Sequence, residues 1–104
     1  MSENAIGIIE TRGIVALAAG IEAMMKTADV QTIAIERISS GYLAAVVRGS
    51  LAAVRQAVAA GSKAVEEYGD LRAAQVYPKP HGTSAALLAN GSSERLARAI
   101  EAAR

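Results

Sequence analysis

The chain has 104 residues, enough for one domain with a modest core, since a chain of this size buries roughly 65% of its unfolded surface. Hydrophobic residues make up 52%, yet Phe, Trp and Cys are absent and three tyrosines are the only aromatics, so apolar area comes from Ala, Val, Ile and Leu. Eleven Lys and Arg against ten Asp and Glu leave a formal charge of +1, and no basic block or set of stacking aromatics supports nucleic-acid binding.

The lack of cysteine excludes disulfides and thiolate metal sites. The opening MSENAIGIIETRG lacks a basic region followed by a long apolar core, so it does not read as a signal peptide. No stretch reaches the roughly 18 apolar residues of a membrane span. The expectation is a soluble, cytoplasmic protein. Small side chains bury little area each, so a single copy should be moderately stable. They also let neighbouring chains approach closely, a first pointer to self-association.

In chain order, AIGIIET (5–11) is short, Ile-rich and bounded by Gly13, which predicts a strand. Ile14, Leu17, Ala18, Ile21, Met24, Met25 and Ala28 recur at helical spacing, with Glu22 and Lys26 off that stripe. VQTIAIERI (30–38) and YLAAVVRG (42–49) read as two strands of a hairpin turning at Ser39-Ser40-Gly41. Ser50 is a plausible N-cap for a helix whose apolar face holds Leu51, Val54, Val58, Gly61 and Val65. Arg55, Ser62, Lys63 and Glu66 fall largely off that face. LRAAQVY (71–77) is a fourth strand, stopped by Pro78 and Pro80. SSERLARAIEAAR (92–104) predicts a last helix, capped by Ser92 or Ser93 and striped by Leu96, Ile100 and Ala103.

The order β-α-β-β-α-β plus a C-terminal helix is the split βαβ, ferredoxin-like α+β pattern, with two helices on one face of an antiparallel sheet. No catalytic constellation stands out. His81 is the one histidine, far in sequence from Ser39 and Ser40, and the G-x-S-x-G frame of a nucleophile elbow is missing. One histidine and scattered carboxylates do not make a metal site. The GSK at 61–63 lacks the upstream glycine of a phosphate loop. Gly41-Tyr42 begins the third strand but Ala44 to Val47 follow, so the stacking platform of an RNA-recognition domain is absent. A small ligand-binding regulatory domain stays open on fold alone.

Several stretches coincide in one pattern. Gly7-Ile8-Ile9-Glu10-Thr11-Arg12-Gly13, the Ala23-x-x-Lys26 end of the first helix, Val47-Arg48-Gly49-Ser50 before the second, and Pro78-Lys79-Pro80-His81 after the last strand occur in register. Over roughly residues 5 to 88 the chain resembles the bacterial microcompartment shell proteins, in their single-domain, hexamer-forming class. The resemblance implies a shell domain over 1–90 and a C-terminal helix or tail over 91–104. It implies a structural protein, neither enzyme nor cofactor-bearing, whose flat hexamers tile into sheets in the shell of a cytoplasmic organelle. Partners would be further copies, other shell proteins and the enclosed enzymes, with no nucleic acid and no membrane.

The resemblance also assigns residues. Ser39, Ser40 and Gly41 match the loop that lines a pore for polar metabolites on the sixfold axis. Lys26, Lys79 and His81 match positions at the hexamer edge, where hexamers meet. Many members carry Gly where Ser39 stands and Arg where Lys79 stands, and lysine lacks the planar fork of arginine. Tyr42 replaces the basic residue common in carboxysome members, which, with YPKP (77–80), leans toward a catabolic metabolosome.

Overall fold

The computed structural model describes residues 5–78. They form β1 (Ala5–Arg12), α1 (Ile14–Thr27), β2 (Gln31–Arg37), β3 (Tyr42–Gly49), α2 (Leu51–Tyr68) and β4 (Asp70–Tyr77). This is the expected order, and the boundaries lie within a residue or two of those read from the sequence. The expected helix over 92–104 and the domain boundary near residue 90 lie outside the described residues.

β1 and β3 carry apolar residues at odd and even positions alike, from Ala5 to Ile9 and from Ala44 to Val47, and all of these are buried. Side chains alternate across a sheet, so a strand buried on both faces belongs in the middle. The sheet order is β2-β3-β1-β4, with every neighbouring pair antiparallel. β2 and β4 are the edges, and each of their residues is exposed or half-buried.

α1 and α2 cover one face. Ile9, Leu17, Met24, Val47, Val54, Val58 and Val65 form the core between sheet and helices. Each such side chain, fully buried, contributes roughly 1.5–3 kcal/mol of transfer free energy. Ile6, Ile8, Ala44 and Val46 form a smaller cluster of the opposite parity, against Ile33, Ala34, Ile38 and Tyr77.

α2 starts where Ser50 caps it, its Oγ accepting a hydrogen bond from the Ala53 N–H at 3.2 Å, as expected. The two helices approach closely where Gly20 faces Gly61. A Cβ at Gly20 would sit 2.7 Å from Val65 Cγ2 and 2.8 Å from Ile9 Cδ1, and one at Gly61 would sit 2.6 Å from Met24 Cγ.

That close approach corrects the expected stripe of α1. The residues it buries are Ala16, Leu17, Gly20 and Met24, whereas Ile14 and Met25 are 64% and 47% exposed and Ala18 is exposed too. Gly20 lets α1 come close to α2 and Gly61 leaves room for Met24, so Ala16, Leu17, Gly20 and Met24 face inward while Ile14, Ala18 and Met25 turn outward. Ser62 is a second correction: its Oγ is buried and has no hydrogen-bond partner among the described residues.

Candidate functional site at the turn between β2 and β3

Ile38 N–H donates to the Tyr42 carbonyl and Tyr42 N–H donates to the Ser39 carbonyl, both at 2.9 Å. The two central residues of the Ser39–Tyr42 turn have positive φ, 55° at Ser40 and 82° at Gly41. That pair of signs is the mark of a type I′ turn, whose twist matches the twist of the strands it joins. Gly41 adopts it without steric cost, as its type suggests. Ser40 does not: a residue with a Cβ sits there against a cost of about 1–2 kcal/mol.

The turn is also tied sideways. Gly13 N–H, at the junction of β1 and α1, donates to the Gly41 carbonyl at 3.2 Å. Ser39, Ser40 and Gly41 are all exposed. With Gly13, Ile14 and Arg37 they border an open concavity of about 560 Å³. Behind the turn Tyr42 is half-buried, with the guanidinium carbons of Arg12 and Arg72 at 5.9 and 4.8 Å from its ring centroid. Two of the three turn carbonyls are thus engaged within the chain, and the serines contribute hydroxyls that both donate and accept.

Lys26 lies in the last turn of α1, its side chain 74% exposed and its Nζ 3.3 Å from Glu22 Oε2. Gly13, bonded to the turn, precedes the first residue of the same helix. Roughly 18 Å of helix therefore separates the two expected sites. Lys79 and His81 lie outside the described residues. Among the described residues no three His, Cys, Asp or Glu side chains gather into a metal site, and no helix is long and apolar enough to cross a membrane.

The model of the BMC domain matches residues 5–80. The chain belongs to the BMC domain family of bacterial microcompartment shell proteins. The shell protein PduA of Salmonella typhimurium is 36% identical over 94 residues, covering 90% of this chain and all of that one. The shell protein EutM of Escherichia coli K12 is 44% identical over 79 residues, 76% of this chain and 81% of that one. A microcompartment protein from Desulfitobacterium hafniense shares the fold, with a TM-score of 0.69 at 21% identity, across 88% of this chain and 50% of that one. The BMC match includes the whole turn, Lys26 and Lys79. Family membership sets aside the regulatory ligand-binding alternative.

Two features of the BMC domain site were not read from the sequence. One is the positive φ at Ser40, which depends on the turn type. The other is the convergence of Arg12 and Arg72 on Tyr42. Arg72 is the extra residue where the β1–β4 register shifts, because Glu10 pairs with Ala73 and Thr11 with Leu71. A bulge re-aims one side chain, and no local signal in the sequence marks it.

Proposed function

We propose that this shell protein is a hexameric tile, and that its β2–β3 turns gather on the sixfold axis to line a pore for polar metabolites. The carrying observation is the turn itself. It is exposed, anchored by the Gly13–Gly41 hydrogen bond and free of core packing. Such a segment is positioned by the fold without being consumed by it. Symmetry would turn one short hinge into a continuous polar rim. A polar solute can exchange hydration for hydroxyls and backbone N–H groups there, whereas a weakly polar intermediate gains less.

Exposed apolar side chains on α1, β2 and the end of α2 support assembly. Ile14, Val15, Met25, Ile35 and Tyr68 are large apolar side chains left 47–64% exposed in the single chain. Neighbouring copies covering them would give the large apolar contact usual for obligate oligomers. In this reading Lys26, with Lys79 and His81, sits at the hexamer edge, at the far end of α1 from the pore. Its long stem packs beside its symmetry mate and its ammonium reaches carbonyls across the edge. The tile performs no catalysis. Its place is the microcompartment shell in the cytoplasm, beside other shell proteins and around the enclosed enzymes.

Light scattering and electron microscopy test this together. The expected mass is six times the 10.7 kDa of the chain, with extended sheets or tubes at higher concentration. Lys26→Asp should leave hexamers intact and abolish the arrays. A monomer that persists at micromolar concentration without arrays overturns the proposal, and arrays of the variant remove Lys26 from the edge.

A further inference from the structure

The sheet has a second apolar face. α1 and α2 pack on the side of Ile9, Ala45 and Val47. On the other side, Ile6 and Ile8 of β1 and Ala44 and Val46 of β3 lie on the two central strands and are 0%, 4%, 0% and 0% exposed. Ile33, Ala34, Ile38 and Tyr77 pack against them, but these lie in or beside the edge strands and are only half-buried. Side chains stand roughly perpendicular to a sheet, so neighbours in the sheet close their flanks and leave their tips to water. Exposure this low at the centre of a face requires a second layer over it. Among the described residues no element supplies that layer.

Two stretches of the chain lie outside the described residues. Residues 1–4 are too few to roof the central strands. Residues 79–104 carry an amphipathic pattern: Leu96, Ala99, Ile100 and Ala103 fall on one side at helical spacing, with Glu94, Arg98 and Glu101 on the other. A helix over 92–104 would be about 20 Å long and about 10–12 Å across. The central strands are about 26 Å long and about 4.8 Å apart, so one such helix matches the patch on β1 and β3. β4 delivers the chain to this place, because its last residue, Tyr77, pairs with Ile6 and packs on this face. From Pro78 to Gly91 the chain can extend about 45 Å, enough to lay the segment along either central strand. The burial is reached within one chain, which favours this occupant over a second copy.

We propose that the segment 92–104 docks on the sheet of its own chain, on the face away from α1 and α2, with Leu96 and Ile100 seated on Ile6, Ile8, Ala44 and Val46. The domain then has three layers, and Glu94, Arg98 and Glu101 form the surface it shows on that side. This docking holds within each chain and does not depend on a pore or a hexamer edge.

Methyl NOE spectroscopy on the full chain tests it, with labelled chains diluted into unlabelled ones before assembly. Contacts from the methyls of Leu96 and Ile100 to those of Ile6, Ile8 and Val46 are expected, and they should persist on dilution. Their absence overturns the proposal. Contacts that vanish on dilution also overturn it, since the segment would then come from a neighbouring copy. Thiol chemistry gives a second reading, because the chain has no cysteine of its own. Ala44→Cys should be modified about tenfold more slowly, or slower still, than Ala74→Cys at an exposed position of β4, as a buried thiol reacts only when its cover opens. Adding Leu96→Asp and Ile100→Asp should raise the Ala44→Cys rate about tenfold. Ala57→Cys, buried between the sheet and the helices, should stay protected in that background. Unchanged protection of Ala44→Cys there overturns the proposal. Should both thiols be released together, the NOE contacts of the unsubstituted chain decide.

Discussion

The seam between α1 and α2 and the turn between β2 and β3 are both built from small residues, for opposite reasons. In the seam Gly20 and Gly61 are buried, and an added Cβ on either would fall within 2.8 Å of a neighbouring side chain. In the turn the residues are exposed, and the nearest atom to a Cβ at Gly41 is Arg12 Nε at 3.9 Å. The seam needs absence of volume. The turn needs a sign of φ, and its side chains are left for other work. Small residues in the first place therefore belong to folding, and in the second to whatever the assembled molecule does with its surface.

Enlarging the seam should give the largest effect. In Gly20→Val the added atoms meet Val65 and Ile9 while the helix is already against Gly61. Overpacking a tight core costs about 1–3 kcal/mol, and more where backbone must move. A destabilisation of roughly 3 kcal/mol or more is expected in urea titrations. Wild-type stability of this variant would show that the helices separate easily, and the contrast with the turn would lose its basis.

Most of the fold was legible because its signals are local. The strands show in their β-branched runs and Ser50 announces a helix start by its type and position, while the sheet order, with β1 and β3 at the centre, came with the structure. The azimuth of α1 was not legible. Periodicity reveals that a stripe exists, but which of Leu17 or Ile14 points inward depends on how near α2 comes, and Gly61 lies 41 positions beyond Gly20. The same holds for Arg72, whose direction depends on how β4 pairs with β1. The turn was legible as a turn, and Gly41 as its positive-φ residue, while the strain at Ser40 emerges only with the turn type. The pore role proposed for it rests on copies of the chain that no single sequence describes.

A middle effect is expected where a serine serves the fold. Ser50→Ala removes the hydroxyl that accepts from Ala53 N–H and leaves that donor to water. Loss of an N-cap costs about 1 kcal/mol, read as a lowered midpoint in thermal or urea unfolding with an unchanged slope. It sets a scale for the turn, where serines of the same size should matter far less to stability. An unchanged midpoint would mean that the cap is replaced by solvent at no cost.

Ser40 should give the smallest change in stability and the clearest change in function. Ser40→Gly relieves the positive-φ cost of about 1–2 kcal/mol, but the more flexible unfolded chain returns roughly 0.4–1 kcal/mol of it. The net gain lies between zero and about 1.6 kcal/mol, read as an unchanged or raised midpoint. Ser40→Leu meets the same φ as serine at an exposed position, so its midpoint should stay near wild type. Its effect lies in the aperture. If the turns ring a pore, the substitution repeats in every copy, replacing hydroxyls with apolar side chains at one constriction. Each hydrogen bond lost to a solute is worth only about 0.5–1.5 kcal/mol net, yet every polar solute must shed water at the same place. The measurement is entry of a polar substrate into shells loaded with its enzyme, which should slow severalfold in Ser40→Leu while sheets still form. Equal entry, together with a hexamer structure that sets Ser40 away from the axis, would return the turn to a simple link between two strands.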